Sequence, residues 1–104
     1  MSVNELTDDT IEEALMYGNV VIDFWAEWCP PCKIMSPLFE ELSEEMEYVY
    51  FASMDADAYP KLVSSYEIQS IPTFLFFKNG AIVHRLVGAR PKEALRKEIE
   101  KVFS

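Results

Sequence analysis

The sequence predicts an α/β fold in which helices cover both faces of a mixed central β-sheet. Three observations predict it. "VVIDFW", residues 20–25, and "VYFASM", residues 49–54, are nearly unbroken apolar runs rich in branched and aromatic residues, the pattern of strands covered on both sides. Between them apolar residues recur at helical spacing, so strand, helix and strand make a right-handed parallel crossover unit. Further on, "TFLFF" and "AIVHRLV" flank Asn79 and Gly80, the strongest short-range sign of an antiparallel hairpin.

Each element follows from local chemistry. After a short opening segment, residues 3–6, "TDDTIEEAL" reads as a helix start: Thr7 or Thr10 can cap, acids fill the first turn, and Ile11 and Leu15 share a face. Gly18 ends that helix. One polar residue, Asp23, interrupts the first buried strand. In the long helix Met35, Leu38, Phe39, Leu42 and Met46 oppose Glu40, Glu41, Ser43, Glu44 and Glu45. Pro37 is expected to interrupt and kink it. Pro60 opens a short helix carrying Leu62, Val63 and Tyr66. Gly80 serves turn geometry, and His84, alternating with Ile82 and Leu86, is read as structural. The last helix starts near Pro91 with Leu95, Ile99, Val102 and Phe103 as its apolar stripe, and Glu93 and Lys97 can pair outside.

A chain of 104 residues suits one domain, 1–104. Its 50% apolar and 13% aromatic content is that of a packed interior and excludes a disordered chain. The net charge of -9 repels phosphate backbones and anionic lipid, so neither nucleic acid nor a membrane is expected as a partner. The first fifteen residues have neither a basic start nor an apolar run, and no stretch approaches the ~20 apolar residues of a membrane span. A cytoplasmic protein is expected. There a structural disulfide is unusual, whereas a catalytic pair of thiols is at home.

The two cysteines, Cys29 and Cys32, stand together in "DFWAEWCPPCK". Cys29 falls where a buried strand hands over to a helix, so its sulfur should lie beside unpaired NH groups and the positive end of the helix dipole, which favour a thiolate. The thiolate is the attacking species in disulfide exchange. Cys32 lies one helical turn on, where a Cα separation of about 5 to 6 Å permits a disulfide without backbone rearrangement. Three other readings compete. A metal site takes about four ligands, and the chain offers two thiols and the distant His84. Inert packing cysteines are buried, whereas a helix start flanked by Trp28 and proline is expected at the surface. A permanent staple across so small a loop constrains the unfolded chain little. A catalytic dithiol accounts best for the pair.

"FWAEWCPPCK" resembles the active-site segment of the thioredoxin family except at the first residue between the cysteines, where the family usually has glycine. The resemblance spans essentially the whole chain, through "LTDD", "SIPTFLFFKNG" and "LVGA". It implies a thioredoxin-like fold and a general protein disulfide reductase. Cys29 would attack a disulfide-containing client protein, and Cys32 would resolve the mixed disulfide. No bound cofactor and no metal are then required beyond the redox-active Cys29–Cys32 pair. An NADPH-dependent flavoprotein, thioredoxin reductase or its equivalent, would recharge it, and the protein is expected to be a monomer. The rivals are a dedicated electron carrier, an oxidase or isomerase, and a non-catalytic interaction module that keeps the fold. Lack of a signal segment argues against the oxidase, and the intact cysteine pair against the module.

Other roles follow the same resemblance. Asp23 either lies at a solvated edge or is buried beneath the cysteines, where desolvation raises its pKa and suits it to shuttle the proton of Cys32; the family matches the second. Where the family often carries a lysine near this carboxylate stands Ser53, which donates a hydrogen bond but no charge, a difference expected to alter proton handling. "IPT", residues 71–73, resembles the family's cis-proline loop, although about 95% of prolines in folded proteins are trans. The backbone of Ile71 beside Pro72 would pair with an extended client segment. Trp28, Pro31, Ile71, Val87, Gly88 and Ala89 would complete an apolar contact surface, with Trp25 left to ordinary packing. Neither Pro30 nor Pro31 can donate an NH to the Cys29 sulfur, and Pro31 biases Pro30 away from helical geometry. Fewer thiolate donors and a stiffer loop both favour the disulfide, so Pro30 is expected to make the couple more reducing than a glycine would.

Overall fold

In a computed structural model that describes residues 3–104, five strands form one sheet: β1 (Val3–Glu5), β2 (Asn19–Trp25), β3 (Tyr50–Asp55), β4 (Thr73–Lys78) and β5 (Ala81–Val87). Their order is β1-β3-β2-β4-β5. β1 and β2 run parallel to β3, whereas β4 is antiparallel to both β2 and β5. The opening segment is therefore an edge strand, too short to be read from three residues of sequence. Asn79 and Gly80 both take positive φ, 52° and 87°, as a two-residue hairpin turn of the primed kind requires.

Four helices cover the sheet: α1 (Ile11–Ala14, continued by a 3-10 turn Leu15–Tyr17), α2 (Pro30–Glu45), α3 (Pro60–Ser65) and α4 (Lys92–Phe103). Alternation along the strands sorts their side chains into two cores. Val21, Phe51, Phe74 and Phe76 face α2 and α4, where Met35, Phe39, Leu42, Leu95, Ile99 and Phe103 are buried. Val20, Ile22, Leu75 and Phe77 face α1 and α3. Phe39 packs edge-on against Phe51 of β3 at 5.0 Å and tilted against Phe74 of β4 at 5.7 Å, which fixes α2 over β3 and β4 and so across β2 between them. Burial of each such side chain contributes about 1.5–3 kcal/mol. The N-terminus of α2 is thus held at the end of β2.

Several local expectations are corrected. α2 runs unbroken through Pro37, which lies on its exposed side, where water can reach the carbonyl that loses its partner. Pro30 is itself the first residue of α2: the NH groups of the first turn have no helical partner, so two prolines there cost no hydrogen bond. Thr10 makes no side-chain cap; its Oγ1 accepts from the Thr7 NH at 2.8 Å, while Thr7 Oγ1 accepts from the Asp9 NH at 3.2 Å. An irregularity in β5 pairs His84 with Phe76 but Ile82 with Phe77, so Val83 is extra and Ile82 turns to the other face from His84. Glu93 pairs with Arg96 at 3.2 Å rather than with Lys97. Lys92 reaches Glu41 and Glu45 at 3.0 and 2.8 Å, and Arg96 also bonds Glu45, joining α4 to α2.

Candidate functional site

Cys29 is the N-cap of α2, in extended geometry (φ -101°, ψ 102°). That conformation turns its side chain over the helix end, and its Sγ accepts the Cys32 NH at 3.3 Å. With Pro30 and Pro31 in the next two positions, this is the NH the local sequence leaves for the sulfur. Cys29 and Cys32 are joined as a disulfide with Cα atoms 5.3 Å apart, within the range their spacing predicts. The sulfur that would carry charge after reduction therefore sits at the positive end of the α2 dipole with one oriented donor.

Surface exposure of the pair is not what is found: Cys29 and Cys32 are 2% and 3% exposed. Their chain neighbours Glu27, Trp28, Pro30, Pro31, Lys33 and Ile34 are all exposed. The N-cap geometry directs the sulfur back over the helix end, beneath the side chain of Ile71 and beside Trp25 and Ala26.

Asp23 is 3% exposed, on the face of β2 beneath α2, so the solvated-edge reading is corrected. Loss of hydration pushes its carboxyl up to about 7. Its Oδ1 has no hydrogen-bond partner among the described residues. Ser53 is its Cα partner on β3 and is half-buried. A cleft of about 320 Å³ brings Asp23, Cys32 and Ser53 together, with Glu5, Lys33 and Glu40 also on its walls.

On the other side of the disulfide, the Ile71–Pro72 bond is cis. The Ile71 carbonyl oxygen lies 3.8 Å from Cys29 Sγ. Neither the NH nor the C=O of Ile71 joins a backbone hydrogen bond among the described residues. The Gly88 NH donates to the Pro72 carbonyl at 2.8 Å, with Gly88 at φ 96°, which aligns residues 87–89 beside the proline loop. Trp28, 66% exposed, is anchored by its Nε1 to Asp57 Oδ2 at 2.8 Å. Val87 and Ala89 are exposed beside them. Two residues here escaped the sequence reading. Ile34 is 64% exposed and shares a helix face with Pro31 at i and i+3, a signal the spacing did offer. Asp57 gave none, since the tryptophan it holds is distant in sequence.

His84 lies elsewhere, with Nε2 2.9 Å from Glu98 Oε2 and its ring edge-on to Phe76. Among the described residues no cluster of three or more His, Cys, Asp or Glu could hold a metal ion. No described helix is long and apolar enough to cross a membrane.

Residues 2–101 match the family described as Thioredoxin. The chain is 43% identical over 100 residues to a thioredoxin of Listeria monocytogenes, covering 95% of this chain and 97% of that one. It is 39% identical to a thioredoxin of Chlamydia muridarum, with the same coverages. Among solved structures, the thioredoxin of Malassezia sympodialis superimposes with a TM-score of 0.91 at 36% identity, over 99% of this chain and 92% of that one.

Proposed function

The chain belongs to the thioredoxin family and is a thioredoxin-type protein disulfide oxidoreductase, and we propose that Cys29 attacks, Cys32 resolves and Asp23 takes the proton between them. The observation that carries this reading is the Cys29 sulfur at the start of α2, with an NH directed at it and Cys32 within bonding reach.

In the reduced protein the Cys29 thiolate attacks one sulfur of a client disulfide. A bond forms between Cys29 and that sulfur, and the other client sulfur leaves as a thiolate. Cys32 then loses its proton to Asp23, and its thiolate attacks Cys29 Sγ, displacing the second client thiolate. The two electrons have moved to the client, and the Cys29–Cys32 disulfide remains. Burial supports Asp23 as acceptor: a carboxyl held near neutrality takes or returns a proton with little driving force either way. Ser53, its neighbour on β3, has a hydroxyl to offer this exchange but no charge.

The client would lie across Trp28, Pro31, Ile71, Pro72, Val87, Gly88 and Ala89, adding a short strand to the free backbone groups of Ile71. Contact through backbone and apolar surface suits many clients. A flavoprotein thioredoxin reductase drawing on NADPH, or an equivalent, returns the electrons. The chain works as one domain and as a monomer, without a bound cofactor. A dithiol whose working form is reduced suits the cytoplasm.

Cys32→Ser should stall at the mixed disulfide. Incubated with disulfide-bearing proteins, it is expected to form covalent adducts through Cys29 that dithiothreitol releases, whereas the double Cys29→Ser, Cys32→Ser variant forms none. Adducts of equal yield in both would contradict the assignment. Pro30→Gly is expected to raise the reduction potential against glutathione, because glycine restores an NH near the Cys29 thiolate and loosens the loop. A variant as reducing as the parent would remove Pro30 from the account.

A further inference from the structure

The cleft beneath α2 has a composition that the thiol chemistry does not use. Its floor is a row of three residues in register across three strands: Asp23 on β2, Ser53 on β3 and Glu5 on β1. Adjacent strands lie about 4.8 Å apart, so the row steps from the buried centre to the edge of the sheet. Asp23 is buried, Ser53 half-buried and Glu5 exposed. The roof is α2, where Lys33, Ser36 and Glu40 recur at i, i+3 and i+7 and so share one face.

Two buried oxygens have no hydrogen-bond partner among the described residues and belong to this cleft: Asp23 Oδ1 and Glu40 Oε1. A buried carboxylate oxygen without a partner is strongly disfavoured, so such atoms are normally met by water. The cleft, about 320 Å³ and lined by apolar as well as polar side chains, has room for several water molecules, which find polar partners at Asp23, Ser53, Ser36 and Glu40. Glu40 is only half-buried as a residue, so the side chain whose Oε1 is buried also borders solvent.

We propose that this cleft is a hydrated proton outlet, in which Ser53 and Glu5 on the sheet and Glu40 on α2 carry to bulk solvent the proton that Asp23 takes from Cys32. The proposal rests on the role of Asp23 given above. The balance is one proton and no electrons: Cys32 S–H gives its proton to the Asp23 carboxylate, the carboxyl passes it to cleft water, and Glu40 or Glu5 delivers it to buffer. During recharging the path runs inward. The charged and titratable groups around it are Glu5 from β1, Asp23 from β2, Glu27 from the loop before α2, and Cys32, Lys33 and Glu40 from α2; β3 contributes the neutral Ser53, and Phe74 of β4 is the other Cα neighbour of Asp23. Glu5 and Glu40 act through Asp23 and are positioning residues.

The test uses Glu5→Gln with Glu40→Gln, which keeps shape and removes proton acceptance. After a small pH jump, relaxation of the Asp23 carboxyl infrared band, assigned by its loss in Asp23→Asn, is expected to slow about tenfold, below what a directly acting proton-transfer group contributes. Mixing reduced protein with a chromogenic aryl disulfide gives two releases of coloured thiolate, the attack by Cys29 and the resolution by Cys32. The first should be unchanged and the second slowed in dilute buffer. Added imidazole, a mobile proton acceptor, should restore both the relaxation and the second release. Parental relaxation in the double variant, or slowing that imidazole leaves in place, overturns the outlet. A parental second release in Asp23→Asn instead removes the role of Asp23 itself, so the two failures are told apart.

Discussion

Cys29→Ser is expected to lower reduction of a disulfide-containing protein, recharged by dithiothreitol, by on the order of 10³-fold or more relative to the parent. The magnitude follows from the chemistry. A serine hydroxyl at the same N-cap keeps the fold and accepts the Cys32 NH in place of the sulfur. It does not ionise near neutrality and forms no disulfide with the client. Cys32 does not substitute for it, since its side chain lies inside the first turn of α2, where it lacks the N-cap position. Equal rates in variant and parent would mean that the chain acts on clients by binding alone.

Asp23→Asn is expected to change the pH dependence of stability more than any other single substitution at the site. The parent carboxyl has an ordinary value of 3.8 and stands at about 7 in the fold, with desolvation the cause. Between those values the unfolded chain has released the proton that the folded chain still holds, so the folded state binds more protons and stability falls as pH rises. At about 1.4 kcal/mol per pH unit, the loss reaches about 4 kcal/mol once both states are ionised, above pH ~7. Below pH ~4 both states are protonated and the loss is absent. Asparagine cannot ionise. Denaturant titrations from about pH 4 to above pH 7 should therefore show the variant gaining on the parent as pH rises, by up to about 4 kcal/mol over the whole span. A constant difference between the two across that range would contradict a buried, neutral Asp23.

What could be read in the sequence was what short-range chemistry determines. The two apolar strands, the Asn79–Gly80 turn and the stripes of α2 and α4 rest on periodicity and turn residues, and each is found. Cys29 at the strand-to-helix junction was readable because the junction itself was. Features set by tertiary contact were not. The order of the sheet depends on which strand edges meet, and a three-residue β1 carries no pattern of its own. The helical state of Pro30 shows where a local bias was outweighed: the restraint imposed by Pro31 is weaker than the advantage of starting a helix that packing holds in place. Burial of the cysteines was missed for a related reason. Exposed flanking residues suggest an exposed site, but the cover comes from Ile71, far away in sequence. Glu40 reads as one more acid on a solvated helix face, and its buried oxygen is visible only once β1 and β3 are placed beneath it.

The proposed mechanism depends on the sulfur of Cys29, and not that of Cys32, being held as an anion by the start of α2. The direct measurement is the rate of iodoacetamide alkylation of each cysteine in the reduced protein as a function of pH, read by mass spectrometry of the separated peptides. Cys29 is expected to react at least about tenfold faster at neutral pH, with a titration midpoint well below the ordinary thiol value of about 8.5. Equal rates at the two positions, or a Cys29 that titrates as an ordinary thiol, would contradict it.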